Sequence, residues 1–341
     1  MMTVRARWRR AIGHLIPAVL TIVLASPADA AGQGASADAA ALGRGINILG
    51  YDGIWDGYPN APFRLENFDA IRDAGFSHVR INFFAFRHMG AANVVDEAVL
   101  KRLDSVIETV LAKKLIPILD EHDTDLCQRD VSTCTVKLTS FWHQVGARYA
   151  GKYPGLIFEV LNEPGGHMSS AQWNALLGQC LGIIRGTNPV RSVIAAVLNV
   201  DEMPIDDLIL PADDRNIIVT FHYYAPLEFT HQGAPWSRKF SKIGPLPWGS
   251  AEDEARAAAD FDKVRAWSER EKRPIYLGEF GVYERAPADS RARYLSFMAR
   301  RAEKFGWPWA FWQFDHDFSA FDSDRQSWKP DILRALIPAT H

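Results

Sequence analysis

The chain alternates eight times between a short apolar run and an amphipathic stretch, a rhythm that few folds accommodate. The strand-like runs are Gly45–Leu49, Ser77–Asn82, Leu115–Asp120, Leu156–Leu161, Ser192–Leu198, Asn216–Phe221, Pro274–Gly278 and Trp309–Phe314. Helical segments follow them at Arg64–Ala74, Asp96–Lys113, Val136–Tyr149, Ser170–Gly186, the short Ile205–Leu208, Ala251–Arg270, Ser290–Lys304 and Trp328–Leu336. In the second of these, Val95, Val99, Leu103, Val106, Ile107 and Val110 form one stripe with charges opposite. Short apolar strands joined through helices predict a parallel sheet. Right-handed crossovers then favour a single-domain α/β protein, a (β/α)8 or TIM barrel. A doubly wound open sheet is the alternative; no glycine-rich phosphate turn follows the first strand, which counts against it.

Two of the strands end alike. Leu161-Asn162-Glu163-Pro164 closes the fourth, and Gly278-Glu279-Phe280-Gly281 closes the seventh, 116 positions later. In a barrel the carboxyl ends of the strands converge on one mouth, so residues distant in sequence become neighbours. The strand ends here supply Arg80, His122, Asn162, Glu163, His222, Tyr224, Glu279 and Trp312. Paired carboxylates suit cleavage of a glycosidic bond: one protonates the leaving oxygen while the other, ionised, attacks the anomeric carbon. A cation such as Arg80, or a hydroxyl such as Tyr224, lowers the pKa of the carboxylate it bonds, and burial raises the other. The bland alternative for a strand-end glutamate is a salt-bridge partner. Asn before Glu163, Pro after it, and a second strand of the same design favour chemistry.

Glu159 and Asp120 read as interior supports, and His78, His88, His143 and His316 belong to no motif. Trp55, Trp236 and Trp248 lie in loops on the expected cleft face, where an indole stacks on a sugar; Trp236 leads. Trp142, Trp173 and Trp267 fall in helices and read as core. The long connection from Tyr224 to Ser250, rich in Pro, Gly and Trp, is expected to shape the cleft.

These pieces together resemble glycoside hydrolase family 5, a group of retaining (β/α)8 glycosidases rich in endoglucanases. The resemblance spans about Gly45 to Asp322. It rests on Val79-Arg80-Ile81, Asp120-Glu121-His122, Asn162-Glu163-Pro164, His222-Tyr223-Tyr224, Gly278-Glu279-Phe280-Gly281 and Trp309-Ala310-Phe311-Trp312. It implies that Glu163 is the acid/base and Glu279 the nucleophile, with Asn162 on the sugar 2-hydroxyl. It also implies that Arg80 and Tyr224 hold Glu279, that His122 and His222 line the site, and that Trp312 is its floor. Two departures stand out. After Arg80 the family often has proline, whereas here Ile81 is followed by Asn82, and Phe229-Thr230-His231-Gln232-Gly233 belongs only to some branches. The implied activity is a retaining endo-β-1,4-glucanase on cellulose-like or mixed-linkage glucan. A mannanase, xyloglucanase, β-1,3-glucanase or transglycosylase is the alternative among enzymes, and a non-catalytic polysaccharide-binding protein the alternative outside them.

Residues 1–30 read as a signal peptide: Arg5, Arg7, Arg9 and Arg10, an apolar run from Ala11 to Ala25, then Ala28-Asp29-Ala30 before the cut. An Ala/Gly/Ser-rich leader, 31–42, precedes a catalytic domain at 43–338. Periplasmic or secreted export follows, with no stable membrane insertion after cleavage. A net charge of −3 gives no reason to expect nucleic acid, and a monomer acting on β-glucan is expected. In an oxidising compartment Cys127 and Cys134 are expected to pair within a polar loop, Asp123 to Thr135, leaving Cys180 a buried thiol. Zinc-type spacing, a Gly-x-Ser-x-Gly elbow and a Walker loop are missing, so no metal or cofactor is expected.

Overall fold

The computed structural model describes residues 27–58, 61–197 and 204–338. A helix, α1 (Pro27–Leu42), leads into eight parallel strands that close on themselves in chain order. They are β1 (Arg44–Ile48), β2 (His78–Phe83), β3 (Ile116–Glu121), β4 (Ile157–Glu159), β5 (Val193–Ala196), β6 (Ile217–His222), β7 (Ile275–Glu279) and β8 (Trp309–Phe311). Around them run α2 (Asn67–Asp73), α3 (Glu97–Ala112), α4 (Thr124–Arg129), α5 (Val131–Arg148), α6 (Ser170–Thr187), α7 (Leu227–Thr230), α8 (Ala251–Glu271), α9 (Ala288–Lys304) and α10 (Pro330–Leu336). A short antiparallel ribbon, β9 (Phe321–Asp322) with β10 (Ser327–Trp328), follows the last barrel strand. The expected TIM barrel is therefore present, and each strand starts within one residue of its sequence-based position. The end expected for the fifth strand, Leu198, lies outside the described residues, as does the charged and apolar part of the signal peptide.

Side-chain alternation sorts the interior into layers. At the amino end Ile118, Ile157, Ile194, Ile218, Tyr276 and Ala310 pack together. One pleat further along β2, β3 and β4 the inward residues become Arg80, Asp120 and Glu159, all fully buried. The apolar floor thus gives way to a charged layer beneath the mouth. On the outside, the stripe Val99, Leu103, Val106, Ile107 and Val110 of α3 is buried, and Asp96 caps the helix by accepting from the Ala98 amide. Ser169/Gln172 and Ser250/Asp253 form capping boxes that start α6 and α8. Among the described residues no helix is long and apolar enough to cross a membrane.

Four local expectations change. The stretch 31–42 is part of α1 rather than a plain leader: Ala35, Ala39 and Leu42 are buried against the barrel floor, and Asp38 accepts from the Ser192 hydroxyl at 2.6 Å. Small residues gave it no apolar stripe to read. The segment 123–135 is two helices, α4 and α5, joined at Asp130, which caps α5. The Cys127–Cys134 disulfide is formed between them, and Cys180 is buried and unpaired. Trp55 does not reach the cleft; it is fully buried, donates to the Leu49 carbonyl at 2.9 Å and packs edge-on against Phe83. Trp248 is also core, wedged against Phe229 and Tyr294. Proline and glycine mark a loop but say nothing of which way its indole turns. Trp142, Trp173 and Trp267 are core as expected.

Candidate active site

Arg80 organises the mouth. Its guanidinium carries five N–H donors, and all five are used. Nε and Nη2 grip Glu159 at 2.7 and 2.9 Å; Nη1 reaches Asn47 at 2.8 Å and Glu279 Oε1 at 2.6 Å; Nη2 also reaches Asn162 Oδ1 at 2.8 Å. The other oxygen of Glu279 accepts from the Tyr224 hydroxyl at 2.8 Å. Burial pushes the Tyr224 phenol well above its usual range, so it stays a donor. Glu279 is thereby held at both oxygens, with its side chain only 5 % exposed.

Glu163 faces it. Its side chain is 26 % exposed, Oε1 lies 2.8 Å from Nδ1 of His222, and that nitrogen stands 3.6 Å from Glu279 Oε2. Ligand atoms of Glu163, His222 and Glu279 all lie within 4.8 Å of one another. His222, wholly buried, is driven down to about 4 by desolvation and so is neutral at working pH. The strands explain the approach. β6 and β7 pair His222 with Glu279 across a register shift after Phe221. A Cβ on Gly278 would meet Thr220 Oγ1 at 2.5 Å and His222 Nε2 at 2.9 Å, so glycine is required beside the glutamate. Beyond β4, Glu163 adopts φ +38°, which a side chain tolerates only when its neighbours hold it. Here Asn162 N bonds the Glu121 carbonyl, Thr124 bonds the Asn162 carbonyl and Gln128 bonds the Glu163 carbonyl.

All nine residues singled out from sequence as catalytic, supporting or binding meet here. His122 stacks flat on Trp312, centroids 5.4 Å apart at 5°. Trp236 stands 51 % exposed at the rim, edge-on to Tyr283. The cleft, which seven of them line with Arg80 and His222 buried behind Glu279 and Glu163, has a volume of about 720 Å³ and also takes in Tyr51, Phe84, Thr124, Asp125, Gln128, Leu227, His231, Asp317 and Phe318. Apart from His231, sequence reading passed over these because they sit on loops or on the short helices α4 and α7 beyond the strand ends. Asn47, which anchors Arg80, was findable: an amide inside an apolar strand needs a polar reason. Among the described residues Glu163, His222 and Glu279 are also the one His/Cys/Asp/Glu group close enough to hold a metal ion. Arg80 and Tyr224 already satisfy both oxygens of Glu279, so the donor set suits a carboxylate pair better than a cation.

Residues 40–317 match the sequence pattern of the family described as Cellulase (glycosyl hydrolase family 5). Endoglucanase H of Acetivibrio thermocellus is 30% identical over 314 residues, covering 88% of this chain; the chain spans 33% of that protein's length. Crystal structures of Thermotoga maritima Cel5A with mannotriose and with cellobiose superpose at TM-score 0.83 with 35% identity, covering 89% of this chain and 100% of theirs. The Clostridial cellulose synthase subunit Z of Clostridioides difficile superposes at TM-score 0.81 with 32% identity, over 87% of this chain and 99% of its own.

Proposed function

The chain belongs to glycosyl hydrolase family 5, and from that premise we propose that it is an endo-β-1,4-glucanase with Glu279 as nucleophile and Glu163 as acid/base. The observation that carries the assignment is the approach of the two carboxylates, one oxygen of each lying within 4.8 Å of the other, which fits the roughly 5–5.5 Å separation of retaining enzymes better than the roughly 6.5–9.5 Å that inversion needs for its water. In the first step an oxygen of Glu279 bonds the anomeric carbon, the glycosidic C–O bond breaks, and the proton of Glu163 passes to the leaving oxygen. In the second, Glu163 takes a proton from water, whose oxygen displaces Glu279. Arg80 and Tyr224 hold and aim Glu279, Asn162 meets the 2-hydroxyl, and His122, His222 and Trp312 shape the sugar site. Trp236 stacks on a neighbouring sugar of the chain.

On a substrate panel we expect carboxymethyl-cellulose and mixed-linkage glucan to release reducing ends fastest, with viscosity falling early because cuts are internal. A faster rate on mannan would move the assignment to a mannanase, the second reading, which the mannotriose complex of the Thermotoga maritima relative favours. Binding of oligosaccharide with no turnover at any pH would leave only a binding protein. Trp236→Ala should raise KM for cello-oligosaccharides roughly tenfold, about 1.4 kcal/mol, with kcat nearly unchanged. An unchanged KM would remove Trp236 from the sugar path. We also infer export through cleavage near Ala30 and action as a monomer; the basic, then apolar, then small-residue start of the chain supports the first.

A further inference from the structure

The charged layer holds one guanidinium and three carboxylates, Glu159, Glu279 and Asp120. Glu159 and Glu279 take N–H donors from Arg80, whereas Asp120 takes none. Its Oδ2 sits 3.1 Å from Nη2 as a bare ion pair, because both hydrogens of that nitrogen already point at Glu159 and Asn162. Asp120 Oδ2 instead receives Asn82 Nδ2 at 3.2 Å and makes a close contact with His122 Nδ1; its Oδ1 is buried without a partner. The other nitrogen of that ring, Nε2, lies beside the amide Nδ2 of Asn162 at 3.4 Å, and His122 lines the cleft. Asn162 cannot turn its amide round, since its Oδ1 is bound to Arg80.

We propose that Asp120 is a positioning residue that selects the tautomer of His122, keeping its proton on Nδ1 so that Nε2 faces the cleft and Asn162 as a hydrogen-bond acceptor. The proposal rests on the glycosidase reading above. Counting protons makes the consequence plain. With one proton the pair is Asp120 carboxylate and Nδ1–H, and Nε2 is bare. A second proton has two places to go: on the unpartnered Oδ1 of Asp120, where Nδ1–H stays on Oδ2 and Nε2 stays bare, or on the ring, where Nε2–H opposes the Asn162 amide and cannot accept from a sugar hydroxyl. The pair therefore titrates as a unit.

Groups facing Asp120 pull its titration in both directions. Arg80 from β2 favours the carboxylate, whereas Glu159 and Glu163 from β4 and its loop, and Glu121 and Asp123 beside it, oppose it; Tyr276 from β7 is neutral. Burial dominates and lifts Asp120 to about 7, while desolvation drives His122 down to about 4, so a proton taken up near neutrality goes to the carboxyl and the ring stays neutral with Nε2 bare.

The test is ¹⁵N NMR of the His122 ring in the full-length protein, with kcat and KM on soluble β-glucan. For the native enzyme we expect hydrogen on Nδ1 and a bare Nε2 through neutral pH. Asp120→Leu, which offers Nδ1 no acceptor, should move the proton to Nε2 and raise KM roughly tenfold, whereas Asp120→Asn, whose amide oxygen still accepts from Nδ1–H, should keep hydrogen on Nδ1. A native ring protonated at Nε2, or ring shifts and KM unaltered in Asp120→Leu, would overturn the proposal. That result would leave the glycosidase reading intact, because that reading is tested separately by Glu279→Gln.

Discussion

Glu279→Gln should lower kcat/KM on carboxymethyl-cellulose by roughly four orders of magnitude, about 5.5 kcal/mol of transition-state stabilisation. The amide is isosteric but neutral, so it cannot form the glycosyl ester, and nothing else within reach replaces it: Glu163 is committed to the leaving oxygen, and His222 lies between the two. One buried oxygen contact with Arg80 becomes charge–neutral, yet the barrel and its helices do not depend on it. The near-ultraviolet circular dichroism should stay native. Activity above a tenth of the parent, with the fold unchanged, would remove Glu279 from the nucleophile's role and with it the retaining mechanism proposed here.

Arg80→Met should cost more in stability than any other single change at the mouth, roughly 3–5 kcal/mol, the range for removing one partner from a buried ion pair. Methionine fills much of the volume, so the loss is electrostatic rather than a cavity. Glu159 would be left fully buried with both oxygens stripped of donors, and Glu279 would lose its cation. A fall in Tm of roughly 5–10 °C is expected for a domain of this size. Activity should drop with it, because Glu279 would lose the Arg80 donor that fixes Oε1 for attack. A variant as stable and as active as the parent would contradict the claim that Arg80 compensates this layer.

Much of this arrangement was legible in the chain. A carboxylate after an apolar strand has few places to go in an α/β protein, and two of them, with Arg80, His122, His222 and Tyr224 at other strand ends, already implied a shared mouth. The interior role of Glu159 followed from its place within an apolar strand, and the bidentate grip of Arg80 bears it out. Loop residues were different. Trp55, Trp236 and Trp248 look alike in sequence, yet two are core and only Trp236 opens to the cleft. Likewise α1 had no stripe to announce that Ala35, Ala39 and Leu42 would close the barrel floor.

The physical reason divides the two kinds of knowledge. Period and polarity along a strand are local, so the amino-acid order alone determined the eight βα units, the family and the residues that can reach the mouth. Which donor meets which acceptor there depends on strand register and on side chains from four other strands competing for one guanidinium. Only the folded barrel decided that Glu159 and Glu279 take the hydrogens of Arg80, and that Asp120, left with none, turns to His122.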